Sequence, residues 1–255
     1  MKIATWNVNS LRVRLPHVLD WLAAEKPDIV GLQETKLPDA DFPIDIFRAK
    51  GYHVEYSGQR TYNGVAILSR NVGKEKVTEF PGFADVQRRI LALTIDHVRI
   101  INLYIPNGES VVSEKFQYKL SWLQALTQFL KKELIQHKQL IVIGDFNIAP
   151  DDQDVYDPVA CQGQVLFSEK ERAVFQQLLN LGLEDCFRLH TQPVKSFSWW
   201  DYRMNAFKRN LGLRIDHILS SPELARHCTT CRIEKSLRAL ERPSDHAPVV
   251  AEFMT

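Results

Sequence analysis

The informative residues of this chain are polar ones placed at the ends of apolar, β-branched runs. Asn7 and Asn9 follow Ile3–Trp6, Gln33 and Glu34 follow Ile29–Leu32, and Tyr104 ends Ile100–Leu103. Gly144, Asp145, Phe146 and Asn147 follow Leu140–Ile143. Asp216 and His217 sit within Leu213–Leu219, and Ser244, Asp245 and His246 precede Ala247–Ala251. A strand end holds a side chain rigidly at the rim of a sheet, as a reacting group requires. Singly, such residues are ordinarily turn formers or helix caps. Together, Glu34, Asp145 and Asp245, with Asn7 and Asn147, make an oxygen-rich set suited to a hard cation such as Mg²⁺. No Cys/His cluster in the sequence competes for zinc. Asp216 is a further carboxylate available to orient His246, and such pairing makes an imidazole a useful base or cation. A hard metal, an Asp–His pair and Asn suit phosphoester hydrolysis, where water is positioned and phosphoryl charge neutralised.

The elements that must hold these groups are short strands and a few amphipathic helices. Strands are expected at Lys2–Val8, Ile29–Gln33, Val65–Ser69, Ile90–Ile95, Arg99–Ile105, Leu140–Gly144, Ile215–Ser220 and Val249–Phe253. Helices are expected at Leu15–Glu25, Glu114–His137 and Glu169–Leu181, each with apolar residues at helical spacing. Strands outnumber helices, which sit between groups of strands. The pattern suggests an α/β sandwich, with two sheets packed face to face and helices outside. No linker or low-complexity segment divides the chain, so one domain over residues 1–255 is expected. The stretch Pro150–Gln164, with Asp151, Asp152, Asp154 and Asp157, reads as a loop over a functional face or a plain surface insertion.

Composition is that of an ordinary globular protein, with 45 % hydrophobic and 25 % charged residues. No apolar run approaches membrane-span length, and the polar N-terminus does not read as a signal peptide, so a cytoplasmic setting is expected. Cys161, Cys186, Cys228 and Cys231 are too few for a disulfide scaffold. The Cys228-x-x-Cys231 pair reads as two small residues near a surface segment rather than as a redox or half-zinc site. Nothing demands more than a monomer. The net charge of +1 taken alone argues against a nucleic-acid partner.

The motifs argue the other way, because they resemble the exonuclease III branch of the endonuclease/exonuclease/phosphatase superfamily, magnesium-dependent abasic-site endonucleases of base excision repair. The matching segments are Trp6–Arg12, Leu32–Lys36, Tyr62–Ser69, Gln87–Arg89, Asn102–Glu109, Gly144–Pro150, Phe197–Arg203, Gly212–Leu219 and Arg242–Val249, in the family's order. The resemblance implies a four-layer α/β sandwich with two mixed β-sheets. It implies Glu34 as principal Mg²⁺ ligand beside Asn7, with Mn²⁺ as an alternative ion. It gives Asp145 the attacking water and a share of the metal, Asn147 the scissile phosphate and a share of the metal, and Asp245 support of the metal site. His246, oriented by Asp216, meets the phosphate, and Tyr104 lies against the phosphate or leaving group. Arg88, Asn107 and Lys119 are implied as DNA-backbone contacts. Trp199, Leu213 and Ile215 are implied as an apolar pocket for a flipped-out abasic sugar, whose extrusion costs less than that of an intact nucleotide. Arg203 lies in a basic, aromatic run with no acidic residue between Asp201 and Asp216, which reads as a DNA-gripping loop.

The chain departs from the family pattern at Ser10, where glycine is usual, at His217, where apolar residues are common, and in the loop Asp151–Phe167. The implied partner is duplex DNA with abasic sites or blocked 3′ ends. Two alternatives stay open: a phosphodiesterase or phosphatase of the same superfamily acting on inositol phosphates or lipids, and a non-catalytic DNA-binding protein on this scaffold. The small net charge then reads as a sum of opposites, with acids gathered around a cation and basic residues on a surrounding face.

Overall fold

The structure, a computed structural model, describes residues 1–254. In chain order the elements are β1 (Lys2–Asn7), α1 (Leu11–Glu25), β2 (Ile29–Gln33), α2 (Ile44–Arg48), β3 (His53–Ser57), β4 (Val65–Ser69), β5 (Lys74–Val77) and β6 (Ile90–Ile95). They continue with β7 (Val98–Tyr104), α3 (Glu114–Gln136), β8 (Leu140–Asp145), α4 (Pro158–Cys161), α5 (Glu169–Asn180), β9 (Glu184–Asp185), β10 (Asp216–Ser220), α6 (Pro222–Ala225), β11 (Cys228–Ile233) and β12 (Val249–Phe253). Two six-stranded sheets result, ordered β11-β12-β1-β2-β4-β3 and β5-β6-β7-β8-β10-β9.

Each sheet is mixed. One has a single parallel pair, β1 with β2, and the other has β7 with β8. A parallel pair needs a long crossover, and here α1 and α3 supply it. Apolar residues fill three layers accordingly. Ile3, Ile67, Leu93, Ile143 and Ile218 pack between the sheets. Trp6, Leu22, Leu32 and Phe47 pack beneath α1 and α2, and Leu103, Leu126, Val142 and Phe175 beneath α3 and α5. The four-layer sandwich is therefore as expected.

Helix ends follow from local chemistry. Ser113 Oγ accepts from Phe116 N–H at the start of α3, and Ser168 forms a capping box with Glu171 at the start of α5. The first helix begins at Leu11, four residues before its expected start, and runs through Pro16. No side chain caps it; Ser10 N–H donates to Glu34 O at 2.8 Å and Leu11 N–H to Thr35 O at 3.1 Å. Tertiary bonds thus satisfy donors that a cap would otherwise serve. Ser10 takes φ 90°, which explains why glycine is usual at this position in the family.

Two close approaches lock the sheets at the centre. Asn102 on β7 crosses the apolar interface, donating to Leu32 O at 3.0 Å and Ala66 O at 2.9 Å, and it accepts from Gln33 Nε2 at 2.7 Å. Gly31 makes room, since a Cβ there would lie 2.8 Å from Asn102 Oδ1. On β8, Gly144 (φ 150°) lies so near β7 that a Cβ would fall 2.0 Å from Leu103 O.

The acidic loop after β8 is tied down rather than free. Asp154 is fully buried and pairs with Arg188 and with Arg214 (Nε to Oδ1, 2.6 Å), which also meets Asp185 at 2.8 Å. Asp157 caps α4 through Val159 and Ala160 N–H. His217 completes this network: its Nδ1 accepts from Arg214 at 3.1 Å and its Nε2 donates to Ile148 O at 2.9 Å. Burial first, and then the Arg214 charge, push its pKa from 6.5 down to about 3. A folded pKa below the ordinary one means stability that is full above pH 6.5 and lost as pH falls towards 3. In urea unfolding across that window, His217→Gln should narrow its stability deficit against wild type by about 1.4 kcal/mol per pH unit. Parallel curves for the two proteins would show that His217 is not held neutral.

Candidate active site

Topology brings the polar strand ends to one rim. The parallel pairs point the ends of β1, β2, β7 and β8 the same way, placing Asn7, Glu34, Tyr104 and Asp145 together. Strands β10 and β12 run antiparallel to β8 and β1, so Asp216, which opens β10, and His246, three residues before β12, arrive at that rim too. Register fixes the neighbours: Asp145 lies opposite both Tyr104 and Asp216.

The centre is a buried charge cluster. His246 Nδ1 bonds Asp216 Oδ2 at 2.9 Å, and His246 Nε2 lies 3.7 Å from Asp145 Oδ2. Burial alone would lower the imidazole pKa, but Asp216 and Asp145 outweigh it and hold it at about 10. His246 is therefore a cation at neutral pH. Burial lifts Asp145 to about 7, against the pull of His246 and with a push from Asp216. Asn7 Nδ2 donates 2.8 Å bonds to both Glu34 Oε1 and Asp145 Oδ2. Tyr104 keeps its phenol proton, held first by burial and next by Glu34, and Arg89 lies over its ring at 4.7 Å. Glu34 and Asn147 both sit at φ 50°, backbone strain of the kind that collects where geometry is functional.

The residues expected to hold metal divide. Glu34 and Asp145 converge, with carboxylate oxygens within 4.8 Å of one another and of a ring nitrogen of His246, which as a cation is no ligand. Asn7 uses its amide N–H groups to bridge the two carboxylates, and its Oδ1 accepts from Asn9 N–H at 2.9 Å. Asn147 Oδ1 accepts from Asn107 Nδ2 at 3.1 Å, and its Nδ2 donates to Ile105 O at 3.0 Å. Asp245 stands outside the converging set, with Asn9 Nδ2 on one oxygen at 2.9 Å and Trp199 Nε1 on the other at 3.0 Å.

Lys119 corrects the expectation of a backbone contact. It is fully buried, pairs with the equally buried Glu171, and donates to Asn147 O at 2.7 Å and Asn107 O at 3.1 Å. No phosphate can reach it; it holds the loops that carry Asn147 and Asn107 instead. Asn107 is exposed, Arg88 partly exposed, and Arg203 exposed and paired with Asp201. Trp199, Leu213 and Ile215 do gather, with Val155, Leu166 and Phe167. Trp199 also bridges to both Leu213 and His246 along the backbone, which places the group beside the rim.

Several working residues carried no clear sequence signal. Ser198 Oγ donates to Asp216 Oδ2 at 2.6 Å and accepts from the Ile215 and Asp216 N–H groups. Lys36 Nζ lies 2.9 Å from Glu34 Oε2 and 2.6 Å from Asn9 Oδ1, supplying positive charge where a metal would. A lone Ser or Lys beside a motif looks like ordinary surface chemistry, and only their position in the fold marks them.

Residues 4–246 match the model of the Endonuclease/Exonuclease/phosphatase family. The chain belongs to this family. It is 40 % identical to exodeoxyribonuclease III of Haemophilus influenzae over 99 % of this chain and all of that protein. The fold superposes on a 3′-5′ exonuclease, NExo, from Neisseria meningitidis with a TM-score of 0.98 at 50 % identity, covering all of both chains. An AP endonuclease from Archaeoglobus fulgidus superposes with a TM-score of 0.96 at 38 % identity, again over both whole chains. The family is metal-dependent, and the site fits that requirement. Its converging donors are mainly hard carboxylate oxygens, and Lys36 already neutralises one of them.

Two substitutions test these assignments. Asp216→Asn should lower the His246 pKa from about 10, and the turnover of a phosphodiester substrate by about 10²–10⁴-fold. NMR titration of the imidazole checks the first effect, and an unmoved pKa would break the pairing. Lys119→Met should cost about 3–5 kcal/mol in urea unfolding, because it strands the buried Glu171 charge. Unchanged stability with a shallower salt dependence of DNA binding would make Lys119 a phosphate contact after all.

Proposed function

We propose that this chain is a Mg²⁺-dependent DNA repair nuclease of exonuclease III type, acting as a single-domain monomer. It hydrolyses the phosphodiester 5′ to abasic sites in duplex DNA and restores blocked 3′ ends, with 3′–5′ exonuclease activity. The observation that carries this reading is the convergence of Glu34, Asp145 and His246 beside the Asp216–His246 pair. Exodeoxyribonucleases III and AP endonucleases among its relatives support the choice of DNA over inositol phosphates or lipids.

The chain's own residues divide the chemistry. Glu34 and Asp145 would hold a hard divalent cation, which would supply charge neutralisation at the phosphoryl oxygens. Asp145 is fixed by Asn7 Nδ2 and Asn147 N–H, which places its carboxylate to take a proton from an attacking water. His246 presents a cationic Nε2–H to the phosphate while Asp216 holds its other nitrogen. Asn147 sits beside that phosphate, and the protonated Tyr104 faces the leaving oxygen. Arg88, Asn107 and Arg203 meet the DNA backbone, and Trp199, Leu213 and Ile215 form the apolar wall against an extruded sugar.

One observation favours 3′-end processing as the stronger activity. Leu213 is 8 % exposed and Ile215 1 %, so the apolar wall offers little surface beyond Trp199. A relative at 50 % identity is described as a 3′ phosphatase bound to a product DNA hairpin.

An assay on three duplexes tests both statements: one with an abasic site, one with a recessed 3′-phosphate, and one undamaged, each with Mg²⁺ or EDTA. Cleavage should need the metal, and 3′-phosphate release should be fastest. Asp145→Asn should lower every rate by at least about 10³-fold while DNA affinity persists. A near wild-type rate for that variant would remove Asp145 from water activation. Phosphate release from an inositol polyphosphate without DNA cleavage would favour the other branch of the family.

A further inference from the structure

The two carboxylates that converge at the rim come from different sheets. Glu34 follows β2 in one sheet, and Asp145 ends β8 in the other. Packed sheets ordinarily stand about 10 Å apart. Two oxygens that share one Mg²⁺, each at about 2.1 Å, stand at most about 4.2 Å apart. The spacing of the sheets at the rim therefore decides whether both carboxylates can meet one ion.

One layer below the rim, a polar link spans the seam where apolar side chains would ordinarily interdigitate. Asn102 and Ile143 pair on β7 and β8, each two residues before Tyr104 and Asp145 and on the same face. Asn102 is fully buried and reaches the backbone of the opposite sheet, at Leu32 O on β2 (3.0 Å) and Ala66 O on β4 (2.9 Å). So short a side chain meets a facing backbone only where no side chain stands between. Gly31 is the facing residue: a Cβ there would lie 2.6 Å from Ile143 Cδ1 and 2.8 Å from Asn102 Oδ1. Gln33, which directly precedes Glu34, completes the link. Its Nε2 donates to Asn102 Oδ1 at 2.7 Å and to Thr5 Oγ1 at 2.8 Å. The chain on either side of the link thus leads straight into one of the two converging carboxylates.

We propose that Asn102 is a positioning residue for the metal: its bonds across the seam, in the space that Gly31 leaves, set the separation of Glu34 and Asp145. The inference rests on the metal-dependent reading above. Asn102 lies beneath the rim and acts only through the strands that carry Glu34 and Asp145. Asn7 Nδ2 bonds those same carboxylates at 2.8 Å each, and it can hold both only while the spacing beneath it persists.

Mn²⁺ titrated calorimetrically into the intact protein, without DNA, reads the site apart from turnover. Asn102→Leu removes the link, and Gly31→Ala wedges the sheets apart through a different atom. Each should weaken Mn²⁺ binding by about 10–100-fold, the usual effect of losing a group that orients a metal ligand. At fixed Mn²⁺, kcat on a recessed 3′-phosphate should fall while KM for the DNA stays unchanged. Ile95→Ala opens a cavity at the far end of the same seam, where β6 meets β7, and costs stability as well. Its Mn²⁺ affinity should match wild type. Asn102→Ser leaves room for water beside the two carbonyls, so it keeps the measurement possible where the leucine variant fails to fold, with weakening at the lower end of that range. Wild-type Mn²⁺ affinity in folded Asn102 and Gly31 variants would overturn the positioning role and leave the metal reading standing. Weakening by Ile95→Ala as great as by Asn102→Leu would overturn it too, by reducing the effect to lost stability. A wild-type protein that binds no Mn²⁺ would fail the metal reading itself, and this inference with it.

Discussion

Carboxylates brought together out of water repel one another and lose hydration, and a folded chain holds such a group only by surrounding it with donors and opposite charge. Asp145, Asp216 and Glu34 share one rim of the sandwich under that constraint. The cationic imidazole of His246 lies between Asp216 and Asp145, Lys36 lies against Glu34, and Asn7 bridges Glu34 to Asp145. The balance leaves Asp145 poised near neutrality rather than fully acidic. A site so balanced reacts strongly to any change in its hydrogen bonds.

Such balance needs a stiff frame. The frame is repeated: β1–α1–β2 in one sheet and β7–α3–β8 in the other each deliver a parallel pair to the rim. Asn102 joins the halves by polar bonds within apolar surroundings, and Lys119 with Glu171 ties α3 to α5 beside Asn147. Buried polar groups of this kind add modest net stability when satisfied, and much instability when one partner is lost. Their benefit lies in fixing one register of the two halves.

The legible parts of the sequence were those under a single strong demand. Central strands are buried on both faces, so β2, β4, β6 and β12 read as continuous apolar runs with their observed bounds. The strands that went unread, β3, β5, β9 and β11, are the four sheet edges. Edges carry charges and bulges that oppose stray pairing, and those same features erase the apolar pattern. At the rim, motif order brought Glu34, Asp145, Asp216 and His246 together correctly. Lys119 has the right chemistry for a phosphate, and only its burial against Glu171 reveals that the chain itself consumes it.

The Asn7 amide sets how the rim behaves before any ligand arrives. Its two amide hydrogens each reach a different carboxylate, one on β8 and one beside β2. Aspartate has nearly the same outline but brings no hydrogen and one more negative charge. In its place the rim would close only around a bound cation, and loading the metal would become part of folding. Two hydrogen atoms thus separate an enzyme whose site is assembled in advance from one whose site waits for its ion.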